Sequence, residues 1–250
     1  MTLPCFIINL RDSPQNFEKQ RPFLLEEGLD PVRFIGVDAR KDEHLEHLEH
    51  VTDWCRTMCP KAAIGCGLSH VLLARHIRDM GLPMALVLED DAFPKVSQLL
   101  KHIYEAIKEV PEDWDVIKLY CGGCWDGTTK NTGTSTAAYL LSASGIQKMS
   151  ELKVNFHIDH QMNGSDLIQY KSRYNLFWTD ESSSTIRTSN STWLNHKPKG
   201  LSGDQVLSQQ ISYPEYLIPG TGMYLVGWHV MLLQCLCFTG LAYIGYRVLQ

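Results

Sequence analysis

Apolar residues along the chain gather into short unbroken runs separated by amphipathic stretches, and that alternation predicts an order of elements. Cys5-Phe6-Ile7-Ile8-Asn9-Leu10 has the length of a buried strand and ends at turn chemistry, Asp12-Ser13-Pro14. Gln15 to Glu27 reads as a helix closing at Gly28, with Pro22 calling for a kink or a late start. Pro31 to Val37 is a second strand, and Asp38-Ala39-Arg40 closes it. Lys41 to Cys59 is charged with a helical rhythm, and Lys61 to Asp79 is a longer helix. Met84-Ala85-Leu86-Val87-Leu88 is another strand, bounded upstream by Gly81 and Pro83. A helix over Val96 to Val110 stops at Pro111, and strands follow at Asp115–Tyr120 and Thr136–Leu141. Ser142 is placed to cap a helix running to about Leu152. A helical Ser165–Tyr170 and a strand-like Ser172–Trp178 complete the pattern. Strands alternating with helices predict an α/β fold, a mostly parallel sheet with helices on both faces.

The remainder of the chain has a different texture. Asn195 to Gly222 is polar, with Pro, Gly and Ser, and reads as a linker. Met223 to Tyr246 holds no Asp, Glu, Lys or Arg and is near the length that spans a bilayer. Tyr224, Trp228, Tyr243 and Tyr246 lie towards its ends, as interfacial anchors do. The expected organisation is a domain over 1–194, a linker over 195–222 and a transmembrane helix over 223–246. With no signal peptide before the first strand, the span implies a tail anchor with the domain in the cytosol, a lumenal orientation being the alternative. A buried hydrophobic helix or hairpin is the competing reading of the tail. The sequons at Asn163 and Asn190 matter only in a lumen.

A net charge of −5 offers no basic field for nucleic acid, and 44% hydrophobic with 20% charged residues is ordinary for a folded chain. An anionic ligand would then need local help, from a metal or from amides at a helix start. The eight cysteines are scattered. Cys55, Cys59, Cys121 and Cys124 could bind zinc, but no flanking pattern supports it, and free thiols in a reducing compartment are the expectation. His44, His47 and His50 recur every three residues and could share a metal, yet their Leu-Glu-His repeat reads as an exposed amphipathic helix.

One cluster changes the picture. Glu89-Asp90-Asp91 stands at the end of the Met84–Leu88 strand, where open α/β sheets place their ligands. Three adjacent carboxylates repel one another, and a divalent cation with hard oxygen ligands would neutralise them and could hold a diphosphate. A solvated acidic loop is the plainer alternative. Ser69-His70 interrupts an otherwise apolar helix, and His70 reads either as a hydrogen-bonded core residue or as part of a site.

Four signatures coincide in order: Phe6-Ile7-Ile8-Asn9-Leu10 before an Arg/Asp/Ser-Pro turn; Phe34-Ile35-Gly36-Val37-Asp38-Ala39; Ile64-Gly65-Cys66-Gly67-Leu68-Ser69-His70 leading to Leu86-Val87-Leu88-Glu89-Asp90-Asp91-Ala92; and Ala138-Tyr139-Leu140-Leu141-Ser142-Ala143-Ser144-Gly145 before His157-Ile158-Asp159. Over residues 5 to 190 the chain resembles glycosyltransferase family 25, which includes lipooligosaccharide and collagen galactosyltransferases. The resemblance implies a GT-A-like nucleotide-sugar-binding fold and inverting transfer, usually of galactose from UDP-galactose. By that analogy Asp91 and Glu89 ligate Mn²⁺ or Mg²⁺, and Asn9, Arg11, Asp38, Ser69, His70, Glu89 and Asp90 surround the donor. The first turn departs from the family's Asn-Leu-Asp-Arg-Ser, since Arg11 and Asp12 swap the two charges.

Inversion needs a base opposite the leaving group to take the acceptor's proton. Asp159 is the candidate, with Asp126 in the Cys121–Ser135 loop as second choice and a helix N-cap as the competing role for Asp159. The expected function is a metal-dependent inverting hexosyltransferase acting from a UDP-sugar onto a glycan, a lipid-linked saccharide or a protein hydroxyl. The expected partners are that donor, a saccharide or hydroxyl acceptor and a membrane, but no nucleic acid. A non-catalytic adhesion or scaffold module on the same fold is the alternative.

Overall fold

The computed structural model describes residues 3–121 and 135–180, together with Tyr216–Ile218 and Met223–Leu225. The chain divides into two units, Met1–Thr192 and Trp193–Gln250. In the first unit β1 (Cys5–Leu10), α1 (Pro14–Glu26) and β2 (Pro31–Gly36) are followed by 3-10 turns at Ala39–Lys41 and Glu43–His50. Then come α2 (Asp53–Met58), α3 (Lys61–Asp79), β3 (Met84–Glu89), β4 (Ala92–Pro94) and α4 (Leu99–Glu109). The unit continues with β5 (Val116–Lys118), β6 (Ala138–Ser142), α5 (Ala143–Glu151), α6 (Ile158–Asn163), β7 (Gln169–Lys171) and β8 (Phe177–Thr179).

Six strands form one mixed, mainly parallel sheet in the order β2-β1-β3-β6-β5-β7. β1 runs parallel to β2 and β3, and β5 parallel to β7, whereas β6 is antiparallel to both its neighbours. The continuous apolar runs divide face by face, as the two-residue period of a strand requires. Cys5, Ile7, Leu86, Leu88, Ile117 and Leu140 pack with α1 and α4 on one side. Phe6, Ile8, Ala85, Val87, Val116, Tyr139 and Leu141 pack with α3, α5 and α6 on the other.

Several elements depart from expectation. The helix α1 runs unbroken through Pro22 because that residue and Glu18, whose carbonyl loses its partner there, both face solvent. The Lys41–Cys59 stretch is two 3-10 turns and a short helix rather than one amphipathic helix. His47 breaks from helical dihedrals and His44 is buried, so the three histidines do not form a shared face. Residues 165–168 are not helical, and the helix lies earlier, in α6. The expected free thiols Cys55 and Cys59 are joined as a disulfide, their Cα atoms 4.7 Å apart across one helical turn, and Cys121 is disulfide-bonded too.

In the second unit β9 (Tyr216–Ile218) pairs antiparallel with β10 (Met223–Leu225). The expected span therefore begins as a strand. Its residues 226–246, like Asp126 and Asn190, lie outside the described residues. Among the described residues no helix is long and apolar enough to cross a membrane.

Candidate functional site

The chain leaves β1 to build β2 on one side, then returns to build β3 on the other, so the crevice at the carboxyl ends of β1 and β3 is the topological switch point. A cavity of about 90 Å³ opens there, lined by Ile8 and Leu10 of β1, Val37 to Arg40, Gly65, Cys66, Ser69 and His70 of α3, and Glu89 and Asp90. Gly65 sets the close approach of α3 to the β2 turn: a Cβ at that position would stand 2.6 Å from the Val37 carbonyl oxygen.

The triplet at the end of β3 is held from four directions. Gln20, buried on α1, donates to the Glu89 carbonyl at 3.1 Å and to that of Ala92, which clamps the backbone on both sides of the acids. Thr136 donates to Glu89 Oε1 at 2.6 Å, and His70 Nε2 lies 3.3 Å from the same oxygen. Asp90 Oδ2 accepts from Asn9 at 2.6 Å and from Asn16 at 3.2 Å. Arg33 donates from Nε to Asn9 Oδ1 at 2.6 Å and from its terminal nitrogen to the Leu10 and Arg11 carbonyls, which fixes the β1–α1 turn.

Asp91 differs from its neighbours. Its Oδ1 is shielded from solvent and has no hydrogen-bond partner, although the residue as a whole is half-buried. Burial, then the charges of Glu89 and Asp90, push its carboxyl up to about 8. Burial also raises Asp90, against the pull of Asn9 and Asn16. Burial opposes ionisation of Glu89 as well, but His70 and Thr136 outweigh it and hold that carboxyl below the ordinary range. One oxygen is thus left with desolvation uncompensated, and a hard divalent cation is the partner that oxygen chemistry would accept. Asp91 fits such an ion, while Asp90 already spends one oxygen on Asn9 and Asn16 and Glu89 one on Thr136.

The other predicted residues divide. Asp38 lines the crevice, whereas Asn9 is buried beside it and reaches only Asp90 of its lining; Asp38 is committed to a two-point pair with Arg40, with both bonds at 2.7 Å, and those bonds keep its carboxyl below the usual range. Ser69 lines the wall without a free hydroxyl. It donates to the Gly65 carbonyl at 2.7 Å and accepts from Val37 N at 2.9 Å, tying α3 to β2. Arg11 is exposed and does not line this cavity; it stands at a neighbouring cleft with Val37, Glu43, Glu46 and His47. His70 is both core and site: its Nδ1 is 2.8 Å from the buried Tyr139 hydroxyl.

Asp159 is half-buried at the second position of α6 and accepts from the His160 amide at 2.9 Å; the N-cap is His157. Its charge bears on Cys66 and on Lys118, and α6 packs through Ile158 and Met162 on the same face of the sheet as α3, although Asp159 does not itself line the cavity. Lys118 is buried near the end of β5, and burial drives its ammonium down to about 8 against the pull of Asp159.

Sequence reading missed Gln20, Arg33, Arg40, Cys66, Lys118 and Thr136. Gln20 did carry a signal, since it shares the buried stripe of α1 with Phe17 and Leu24, where a polar residue needs partners. Arg33 and Lys118 stand inside strands and give no sign of which carboxylate or carbonyl they meet.

No curated protein matches the chain significantly. Among solved structures, A197 from STIV is similar at 11% identity and a TM-score of 0.39, over 68% of this chain and 81% of that one. A glycosyltransferase involved in the glycosylation of the major capsid of PBCV-1 is similar at 10% identity and a TM-score of 0.36, over 60% of this chain and 64% of that one. Neither likeness is close enough to bear on the chemistry. The family profile for glycosyltransferase family 25 (LPS biosynthesis protein) matches residues 2–129, more than half of the chain and the part that builds β1, α3 and the acidic triplet. The chain therefore belongs to glycosyltransferase family 25, and it is a glycosyltransferase by family.

Proposed function

We propose that this glycosyltransferase has a GT-A-like donor site, depends on a divalent metal, and moves a hexose, galactose by family analogy, from a UDP-sugar to a saccharide or protein hydroxyl with inversion. The observation that carries the reading is the Asp91 Oδ1 oxygen, shielded and unpartnered beside two further acids at the switch point of the sheet. Asp91, with Glu89 beside it, would hold Mn²⁺ or Mg²⁺, which when bound would neutralise charge developing on the leaving diphosphate. Asn9, Arg33 and Gln20 keep the triplet in place, so the carboxylates are oriented before the donor arrives. Asp159, half-buried at the start of α6 on the same face of the sheet as α3, would accept the proton of the acceptor hydroxyl. The disulfide Cys55–Cys59 suits an oxidising compartment, and we infer that the domain works on the lumenal side of whatever membrane it serves.

The test is UDP release and sugar transfer from a panel of UDP-sugars, with and without Mn²⁺. Metal-dependent release is expected, abolished by Asp91→Ala. Asp159→Asn should still bind the donor but transfer at least about 100-fold more slowly. Full turnover without metal, or in Asp91→Ala, refutes the metal role, and unchanged transfer in Asp159→Asn removes it as the base.

A further inference from the structure

A second set of potential ligand atoms converges on the other flank of Glu89. Cys66 and His70 are one helical turn apart on α3, so their side chains share the face that overlies the end of β3. The Cys66 sulfur, a His70 ring nitrogen and a Glu89 carboxylate oxygen all lie within 4.8 Å of one another. No other group of three such residues meets among the described residues.

The histidine supplies the second observation. His70 is 1% exposed, and its Nε2 has no hydrogen-bond partner although it points to within 3.3 Å of Glu89 Oε1. On the far side of the ring, Nδ1 meets the Tyr139 hydroxyl at 2.8 Å. When Nδ1 carries the proton and donates it to Tyr139, the lone pair on Nε2 is presented towards Glu89 and Cys66. This outer hydrogen bond is the arrangement that orients metal-bound imidazoles.

We propose that Cys66, His70 and Glu89 form a binding site for a borderline divalent cation of the zinc class, with a fourth position facing the cavity. The donor set is thiolate, imidazole and carboxylate, which zinc accepts and which manganese and magnesium, preferring oxygen, do not. Zinc bonds of about 2.0–2.3 Å in a tetrahedron place ligand atoms roughly 3.3–3.8 Å apart. The nitrogen–oxygen pair already meets that spacing, and rotation of the Cys66 side chain, which lines the cavity wall, would have to close at most about 1 Å for the sulfur. Binding deprotonates the thiol and releases that proton to solvent, so affinity rises with pH.

The site shares Glu89 with the proposed donor-side metal but does not use Asp91 and adds Cys66 and His70, so variants of Asp91 on one hand and of Cys66 on the other tell the two apart. The experiment takes the full chain, stripped of metal by a chelator under non-reducing conditions, and titrates it with Co²⁺ and then Zn²⁺. One cobalt per chain should bind with a near-ultraviolet thiolate charge-transfer band and the intense visible bands of a tetrahedral ion, all bleached by zinc. Cys66→Ser should abolish the charge-transfer band. Tyr139→Phe, which keeps the packing, should weaken zinc about 10- to 100-fold through loss of the outer hydrogen bond. Glu89→Gln, which keeps the side-chain volume, should weaken it by at least as much and supplies the test if Cys66→Ser does not fold. Asp91→Ala should leave the cobalt spectrum intact. A chain with no thiolate band, a band that survives Cys66→Ser, a spectrum lost in Asp91→Ala, or full affinity in both Tyr139→Phe and Glu89→Gln would overturn the assignment.

Discussion

Replacing Asp91 by asparagine tests the electrostatics of the site without any substrate. In the folded chain the carboxyl is raised from an ordinary value of 3.8 to about 8, first by burial and then by Glu89 and Asp90. A carboxyl raised on folding favours the folded state fully below pH 3.8, and that advantage is lost as pH climbs towards about 8. At pH 7 the unfolded chain has released this proton and the folded chain largely has not. The interval of about three pH units corresponds to a ceiling of about 4 kcal/mol. Solvent over the exposed part of the side chain screens the repulsion and brings the expected gain from Asp91→Asn to roughly 2 kcal/mol. For a chain of this size that raises the melting temperature by roughly 4–8 °C. Thermal unfolding followed by circular dichroism in EDTA, near pH 4.5 and near pH 7.5, should show a gap between the two proteins that widens with pH. Saturating Mn²⁺ should narrow or reverse it, because an ion that binds only the folded, unsubstituted chain adds about 2.7 kcal/mol at a hundredfold excess over its Kd. A gap independent of pH, or a variant less stable at neutral pH, would refute the account of the triplet.

Three further outcomes test the frame around the site. Ser69→Ala leaves the buried Val37 amide unpaired and should cost about 1–3 kcal/mol in urea unfolding; a neutral effect would mean that Ser69 does not tie α3 to β2. Gly65→Ala puts a methyl group 2.6 Å from the Val37 carbonyl oxygen and should cost about 1–3 kcal/mol, where a gain in stability would show that α3 can move away freely. The disulfide Cys55–Cys59 closes a loop of only four residues' separation, so mild reduction should cost about 2 kcal/mol. Equal stability of the oxidised and reduced chains, or free thiols at both positions in the purified protein, would contradict that pairing.

Much of this fold is legible along the chain because its strands are buried on both faces and its helices are patterned. The α3 boundaries, Lys61 to Asp79, follow directly from apolar spacing, and the Ser142 side chain caps α5 by accepting from the Gly145 amide. The antiparallel direction of β6 is not legible, because a run such as Ala138-Tyr139-Leu140-Leu141 reads the same whichever way its neighbours point. Nor is the 3-10 path of Glu43–His50, since a three-residue repeat satisfies both kinds of helix.

The same division runs through the site. Local sequence was enough to set three carboxylates at the end of a buried strand, because strand length and burial are written into Met84–Leu88. Which carboxylate is left without a partner was decided only in three dimensions. Asn9, Asn16, Gln20, His70 and Thr136 come from four separate stretches of chain, and together they satisfy Glu89, Asp90 and the intervening backbone while leaving Asp91 Oδ1 bare. Sequence spacing specifies which groups are charged. The packing of α1, α3 and β6 around the end of β3 determines which of those charges is desolvated and unmatched, and that is the property on which the chemistry depends.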